Sequence, residues 1–285
     1  MKLPLIVVRG AGDLATGTIH KLHSCGFFVL ALETAAPSAI RRNAAFSEAV
    51  YTGCTTVEGV TCRLAGGLDE VPDILNSGEV PLLIDPEASC LDRVKPAVLV
   101  DAILAKRNLG THTGMAPTVI ALGPGFSAPE DAHVVIETMR GHDLGRLIRL
   151  GSALPDTGMP GLIAGAGAKR VVHSPAAGVF RPLKQITDVV REGEPLAEVE
   201  GADGTRIPVP ATMDGLLRGL LREGYPVTQG FKVADIDPRL EERDNCFTIS
   251  DKARCIAGGV LEAVLWGICR ERKEREAMEP WSFPS

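Results

Sequence analysis

The sequence has no paired-cysteine motif. Its seven cysteines (Cys25, Cys54, Cys62, Cys90, Cys246, Cys255 and Cys269) are scattered, without a C-x-x-C or C-x-x-H pair. Neither a structural zinc site nor a disulfide framework is indicated, and no metal site is expected. There is no run of about 18 apolar residues, so a membrane-spanning helix is not expected. The first residues enter an apolar run at once and carry no signal-peptide pattern, which makes the cytoplasm the expected location. Positive charge is not in excess: the formal net charge of −6 gives no reason to expect a nucleic-acid partner. Aromatic residues make up only 4%, whereas 31 glycines and 20 prolines point to many tight turns between short strands. With 285 residues, 45% hydrophobic and 23% charged, the chain has room for two domains or one large one.

What is present begins with the stretch Leu5-Ile6-Val7-Val8-Arg9-Gly10-Ala11-Gly12-Asp13-Leu14-Ala15-Thr16-Gly17. Four apolar residues in a row predict a strand buried on both faces, followed by a glycine turn and a helix through Leu22. Gly10 and Gly12 let the backbone turn tightly, and the amides that open the helix suit a phosphate. Ala15 fills the third small position of a GxGxxA pattern. Glu33 ends the next apolar run about 20 residues further on, where a dinucleotide site places its ribose-binding acid. Asp13 would repel a pyrophosphate unless turned away. The alternative is a tight turn over an empty pocket, with Glu33 merely a carboxylate at a strand end.

Further apolar runs predict strands over 57–64, 80–84, 97–100, 118–122 and 133–138. Many end in polar or glycine-rich loops: Asp85-Pro86-Glu87; Asp101 followed by Lys106, Arg107, Asn108, Thr111 and His112; Gly123-Pro124-Gly125-Phe126; and Arg140-Gly141-His142-Asp143. Arg41 and Arg42, just past the second strand, either pair with a phosphate or carboxylate or open an exposed basic helix. Repeated strands with such ends favour an open α/β sheet with a site along its carboxyl edge. Glycine and proline are dense between 151 and 167, where a domain boundary is expected. After Ser250, a helix cap, Ile256, Val260, Leu261, Val264, Leu265 and Ile268 recur at helical spacing. Gly258-Gly259 inside that helix predicts close approach of another backbone or a ligand, and the residues from Met278 onward are expected to form a frayed tail.

One internal repeat lies beyond the boundary. Ser174-Pro175-Ala176-Ala177-Gly178 continuing to Val190 and Gly193 matches Val209-Pro210-Ala211-Thr212-Met213-Asp214-Gly215 continuing to Val227 and Gly230. The pattern over 171–236 resembles the biotinyl/lipoyl-like barrel-sandwich family. Members that carry a cofactor attach it to a lysine on the hairpin between the copies. The segment 197–207 has no lysine, so neither biotin nor lipoate attachment is expected. The expected fold is therefore α/β: a Rossmann-like N-terminal domain (1–165), an inserted barrel-sandwich β domain (166–240) and a C-terminal helix (241–285) packing back on the first.

Taken together, Arg9-Gly10-Ala11-Gly12-Asp13 through Thr16-Gly17, Gly123-Pro124-Gly125-Phe126, Glu137-Thr138-Met139-Arg140-Gly141-His142, Asp235-Ile236-Asp237-Pro238-Arg239 and Ser250-Asp251-Lys252-Ala253-Arg254 closely resemble the YqeB family of the selenium-dependent molybdenum hydroxylase system. The resemblance implies an accessory or maturation factor with a molybdenum hydroxylase apoenzyme as partner. The ligand it implies is nucleotide-bearing, such as a molybdopterin dinucleotide. On that reading Gly10, Gly12 and Thr16 hold phosphate, Glu33 takes a ribose hydroxyl, Arg140 and His142 help bind the anionic end with Lys252 as a further candidate, and Asp13, Gly17, Gly123 and Gly125 belong to the same cofactor site. If there is chemistry, His142 is the first choice for proton transfer, since its ordinary pKa is near neutral, with Glu137 or Asp143 orienting it. An NAD(P)-dependent oxidoreductase and a non-catalytic scaffold docking a partner enzyme stay open as alternatives, as does assembly into a homo-oligomer.

Overall fold

The computed structural model describes residues 4–158 and 165–275. Part of the glycine- and proline-rich boundary segment and the tail from Met278 lie outside the described residues. The first 152 residues supply β1 (Leu5–Arg9), β2 (Phe28–Glu33), β3 (Cys54–Val57), β4 (Val60–Leu64), β5 (Val80–Ile84) and β6 (Val98–Asp101). They continue with β7 (Thr118–Leu122), β8 (Ser127–Ala128), β9 (Val134–Ile136), β10 (Leu147–Ile148) and β11 (Gly151–Ser152). The helices are α1 (Asp13–Ser24), α2 (Ala49–Thr52), α3 (Val71–Asn76), α4 (Leu91–Val94) and, at the far end of the chain, α5 (Asp251–Arg275).

Nine of these strands form one mixed sheet in the order β10-β9-β7-β6-β1-β2-β5-β4-β3. The central strands run parallel, while β3 pairs antiparallel with β4 and β10 antiparallel with β9. The period-2 alternation of a strand assigns each face its core. Ile6, Val8, Ile120 and Leu122 point to one side, where Ile19 and Leu22 of α1 and Ile256, Val260 and Val264 of α5 cover them. Val7, Leu99, Val119 and Ala121 point to the other side, against Val71, Ile74 and Phe126. Burial on both faces explains why the central strands read as unbroken apolar runs.

The rest of the chain contributes β12 (Val171–His173), β13 (Gly178–Pro182), β14 (Val189–Val190), β15 (Pro195–Glu200), β16 (Arg206–Pro210), β17 (Gly215–Leu220), β18 (Pro226–Val227) and β19 (Lys232–Asp237). They form two four-stranded antiparallel sheets, β12-β19-β17-β14 and β16-β15-β13-β18. Phe180, Leu196 and Val199 from one sheet and Leu216, Val233 and Ile236 from the other share a single apolar cluster.

This architecture corrects the expected fold class of a Rossmann-like domain with a biotinyl/lipoyl-like insert. The large sheet is mixed, with an antiparallel strand at each edge, and no α-helix joins β6 to β7 or β7 to β9. The later strands make two separate antiparallel sheets, one of which takes β12 from outside the repeated segments. The physical reason is that a βα turn and a repeat spacing are local signals. Strand order and edge direction arise from pairings between distant segments, which spacing does not encode.

Candidate functional site

At the predicted phosphate turn the backbone and its neighbours satisfy one another. Gly10 has φ +94°, and a Cβ there would lie 2.9 Å from the carbonyl oxygen of Ala102, so a side chain is excluded on two counts. Glu33 ends β2 facing this turn. Its Oε2 accepts from the Ala11 amide at 2.8 Å and its Oε1 from the Thr34 amide at 2.8 Å. Thr16 is fully buried; its hydroxyl donates to the Gly12 carbonyl at 2.9 Å and accepts from the Phe46 amide at 2.8 Å. A Cβ on Gly17 would lie 2.9 Å from that of Ala253, so this glycine serves the contact between α1 and α5.

Burial pushes the Glu33 carboxyl above its ordinary value of 4.5, opposed by the two amide hydrogen bonds. A carboxyl with a raised folded-state pKa holds its proton longer in the folded than in the unfolded chain. Its contribution to stability therefore falls as pH rises from the unfolded value through the raised one. Denaturant midpoints of wild type and Glu33→Gln, measured from pH 4 to 7, are expected to shift against wild type as pH rises. A difference of the opposite slope would show that Glu33 is held as a favoured carboxylate.

A larger cavity, of about 720 Å³, opens beside this turn at the carboxyl ends of the parallel strands. The first turns of α1 (Asp13, Leu14) and α5 (Lys252, with Ser250 just before it) face it together. Ser250 caps α5, its Oγ accepting from the Ala253 amide at 3.1 Å. The loops after β6, β7 and β9 add Lys106, Pro124 and the segment Thr138-Met139-Arg140, and the antiparallel sheets close the opposite wall with His173, Arg218, Lys232 and Asp235.

Among the described residues that line the cavity, Arg41, Lys106, Arg140, Arg170, Arg218, Lys232 and Lys252 stand against Asp13, Asp156 and Asp235. Some of this charge is spoken for. Arg140 forms a two-pronged pair with Asp251 at 2.8 and 3.0 Å, which holds that carboxyl far below its usual range, and Lys106 meets Asp156 at 2.6 Å. The Lys252 ammonium has no hydrogen bond or ion pair among the described residues, and burial, then the nearby Arg140 charge, pushes its pKa down. Two helix N-termini and the excess of cations make the cavity attractive to a multiply charged anion.

No family model matches the chain. It is 49% identical over 262 residues to the uncharacterized protein YqeB of Escherichia coli (strain K12), covering 92% of this chain and 47% of that protein. The match supports a place in the YqeB family. The chain spans about half the length of this curated relative. Among solved structures it is similar to the product-bound ectoine utilization protein EutE (DoeB) from Ruegeria pomeroyi, at 12% identity and TM-score 0.27 over 82% of this chain and 85% of that one. It is also similar to a succinylglutamatedesuccinylase/aspartoacylase from Rhodobacter sphaeroides, at 12% identity and TM-score 0.24 over 82% and 86%.

Of the residues singled out from the sequence of this YqeB-like chain, Asp13, Arg140 and Lys252 meet in the cavity. Gly10, Gly12, Thr16, Gly17 and Glu33 form the turn behind it. Gly123 and Gly125 shape the wall next to Pro124: both have positive φ, and Cβ atoms there would lie 2.6 Å from the Thr138 hydroxyl and from Cα of Arg107. His142 and Asp143 lie elsewhere, in a shallow depression with Arg146, Arg149 and Glu262, where Asp143 pairs with Arg146 at 2.9 Å. The Glu137 carboxylate accepts from the Met139 and Leu154 amides at 2.7 and 2.8 Å rather than from His142. No group of three or more His, Cys, Asp or Glu among the described residues is placed to hold a metal ion. No helix among them is long and apolar enough to cross a membrane.

Sequence reasoning weighed Arg41 but missed Arg170 and Arg218. A signal for Arg218 exists: it is the lone cation in Leu216-Leu217-Arg218-Gly219-Leu220, a strand buried along its whole length.

Proposed function

We propose that this chain acts as a cytoplasmic accessory factor in the maturation of selenium-dependent molybdenum hydroxylases. Its cavity binds a phosphate-bearing, nucleotide-type ligand such as a molybdopterin dinucleotide, for hand-over to an apoenzyme. The observation that carries the ligand class is the convergence of Arg218, Lys252 and Arg140 on one cavity beside two helix N-termini. Its volume of about 720 Å³ lies in the range of small-molecule and cofactor sites. The motif order carries the pathway part of the proposal, and the identity to the uncharacterized protein YqeB supports the family alone.

In an NAD(P)-dependent oxidoreductase, Glu33 would be expected to bind ribose; here it already accepts from Ala11 and Thr34. Native mass spectrometry of freshly purified protein, followed by calorimetry with molybdopterin species, CTP, ATP, pyrophosphate and NAD(H), separates the readings. Binding of a molybdopterin or other phosphate-bearing probe, weakening as salt is raised, is expected. Selective micromolar retention of NAD(H) would replace this reading with the oxidoreductase, and indifference to the whole panel would replace it with a scaffold.

A further inference from the structure

We infer that Arg41, Arg170 and Arg218 together form a subsite for a doubly charged phosphate group, at the seam between the large sheet and the antiparallel sheets. This assignment rests on the phosphate-ligand reading above and names the part of the cavity that takes the charge.

The three arginines come from distant segments: Arg41 from the loop after β2, Arg170 from the turn before β12, and Arg218 from β17. They are 8%, 6% and 9% exposed, and all line the same cavity. Each has an Nε without a hydrogen-bond partner. Their carboxylate neighbours stand off: Asp13 lies 3.4 Å from Arg41, Asp235 3.3 Å from Arg170, and Asp237 3.4 Å from Arg218. A well-made pair between guanidinium and carboxylate closes to about 2.7–2.9 Å. Arg239 shows the contrast, taking the same Asp237 at 2.8 and 2.9 Å and so competing with Arg218 for its only carboxylate neighbour within salt-bridge distance among the described residues.

Burying a guanidinium costs several kcal/mol unless good partners replace water. Three such groups with loose pairing around one cavity are therefore a site built for a further anion. Arg41 is held in place by its Nη2, which donates to the carbonyls of Asn245 and Thr248 at 3.1 and 3.0 Å, while Nη1 is the end facing Asp13. Segment 40–42 is in turn fixed on β17 by the Leu220 amide donating to the Ile40 carbonyl at 2.8 Å and by Arg42 Nε donating to the Leu220 carbonyl at 2.8 Å. Desolvation and the neighbouring Arg41 charge push the Arg218 guanidinium down, opposed by Asp235 and Asp237. A phosphate dianion offers three acceptor oxygens to planar forks, which a single carboxylate does not.

The test is calorimetry with inorganic phosphate and with AMP, using adenosine as the uncharged comparator, on the full chain. Wild type, Arg218→Met, Arg41→Lys and Arg93→Met are compared, with melting temperatures recorded for each. Arg93 is an exposed α4 residue paired with Asp69 and serves as the charge-matched control. Phosphate and AMP affinity is expected to fall by about tenfold to a hundredfold in Arg218→Met. Arg41→Lys keeps the charge but loses the fork, and should weaken phosphate while the protein stays folded at the titration temperature, its melting temperature falling modestly with the lost bonds to the Asn245 and Thr248 carbonyls. Arg93→Met should match wild type. Wild-type binding of AMP should also weaken below about pH 6, where its phosphate monoester loses its second charge. Wild-type affinity in both Arg218→Met and Arg41→Lys would overturn the arginine assignment while the phosphate-ligand reading stood. Failure of wild type to bind either probe would overturn both.

Discussion

Replacing Gly259 with alanine is expected to destabilise the protein by about 2 kcal/mol, lowering its melting temperature by roughly 5 °C. Gly259 faces the turn after β9: a Cβ there would sit 2.1 Å from the Gly145 carbonyl oxygen and 3.3 Å from Ile136. The obstacle is backbone, so α5 must move as a body or the turn must open. The neighbouring residue is the control. A Cβ on Gly258 meets nothing within 4 Å, so Gly258→Ala should gain about 0.5–1 kcal/mol from helix propensity. Two adjacent glycines in one helix thus carry opposite signs, read by thermal melts of the two variants. A neutral Gly259→Ala would mean that α5 does not rest on the 145 turn. The same helix presses Ala253 on Gly17 and Gly267 on Thr118, so small residues along one face let it lie close to α1 and the sheet.

That glycine pair shows how far the sequence could be read. Helical spacing after Ser250 and an uncompensated Gly-Gly announced a close approach, and Gly259 makes it; which backbone it meets depends on residues more than 100 positions away. The apolar runs of β1, β6 and β7 were legible because burial on both faces leaves no alternation to misread. The antiparallel edges β3 and β10 and the order of nine strands were not, since they depend on pairing across the chain. In the repeat, equivalent turn glycines were legible in structure as well: Gly193 and Gly230 have φ of +84° and +80°, and Gly178 and Gly215 would each place a Cβ 2.5 Å from a strand carbonyl. The two-sheet pairing around them was not.

The site was harder to read for a related reason. Spacing could say that a carboxylate follows the glycine turn, but not that Glu33 would face Ala11 and occupy its amide. Arg41, Arg170 and Arg218 are separated by up to 177 positions, and only folding brings them to one cavity. Asp13, Arg140 and Lys252 were found because each sits in the first turn of a helix or in the loop after a strand, where a local rule already points to function.

Glu137→Ala is expected to cost about 2 kcal/mol, because it takes a buried acceptor from two part-buried amides at once. Glu137 is 3% exposed, and its oxygens accept from the Met139 and Leu154 amides at 2.7 and 2.8 Å. Its backbone meanwhile pairs with the 145–146 turn, accepting from the Gly145 amide at 2.9 Å and donating to the Arg146 carbonyl at 3.0 Å. Met139 and Leu154 both line the cavity, so this one side chain ties two of its walls together. Glu137→Gln keeps one acceptor oxygen but turns an NH2 toward the other amide, and should fall between wild type and alanine. A residue that only oriented His142 for proton transfer would behave differently: the glutamine variant would melt like wild type. Equilibrium unfolding in urea separates the cases, and an alanine variant as stable as wild type would remove Glu137 from the framework of the cavity. The order alanine below glutamine below wild type would make it the brace that holds Met139 and Leu154 at the cavity's edge.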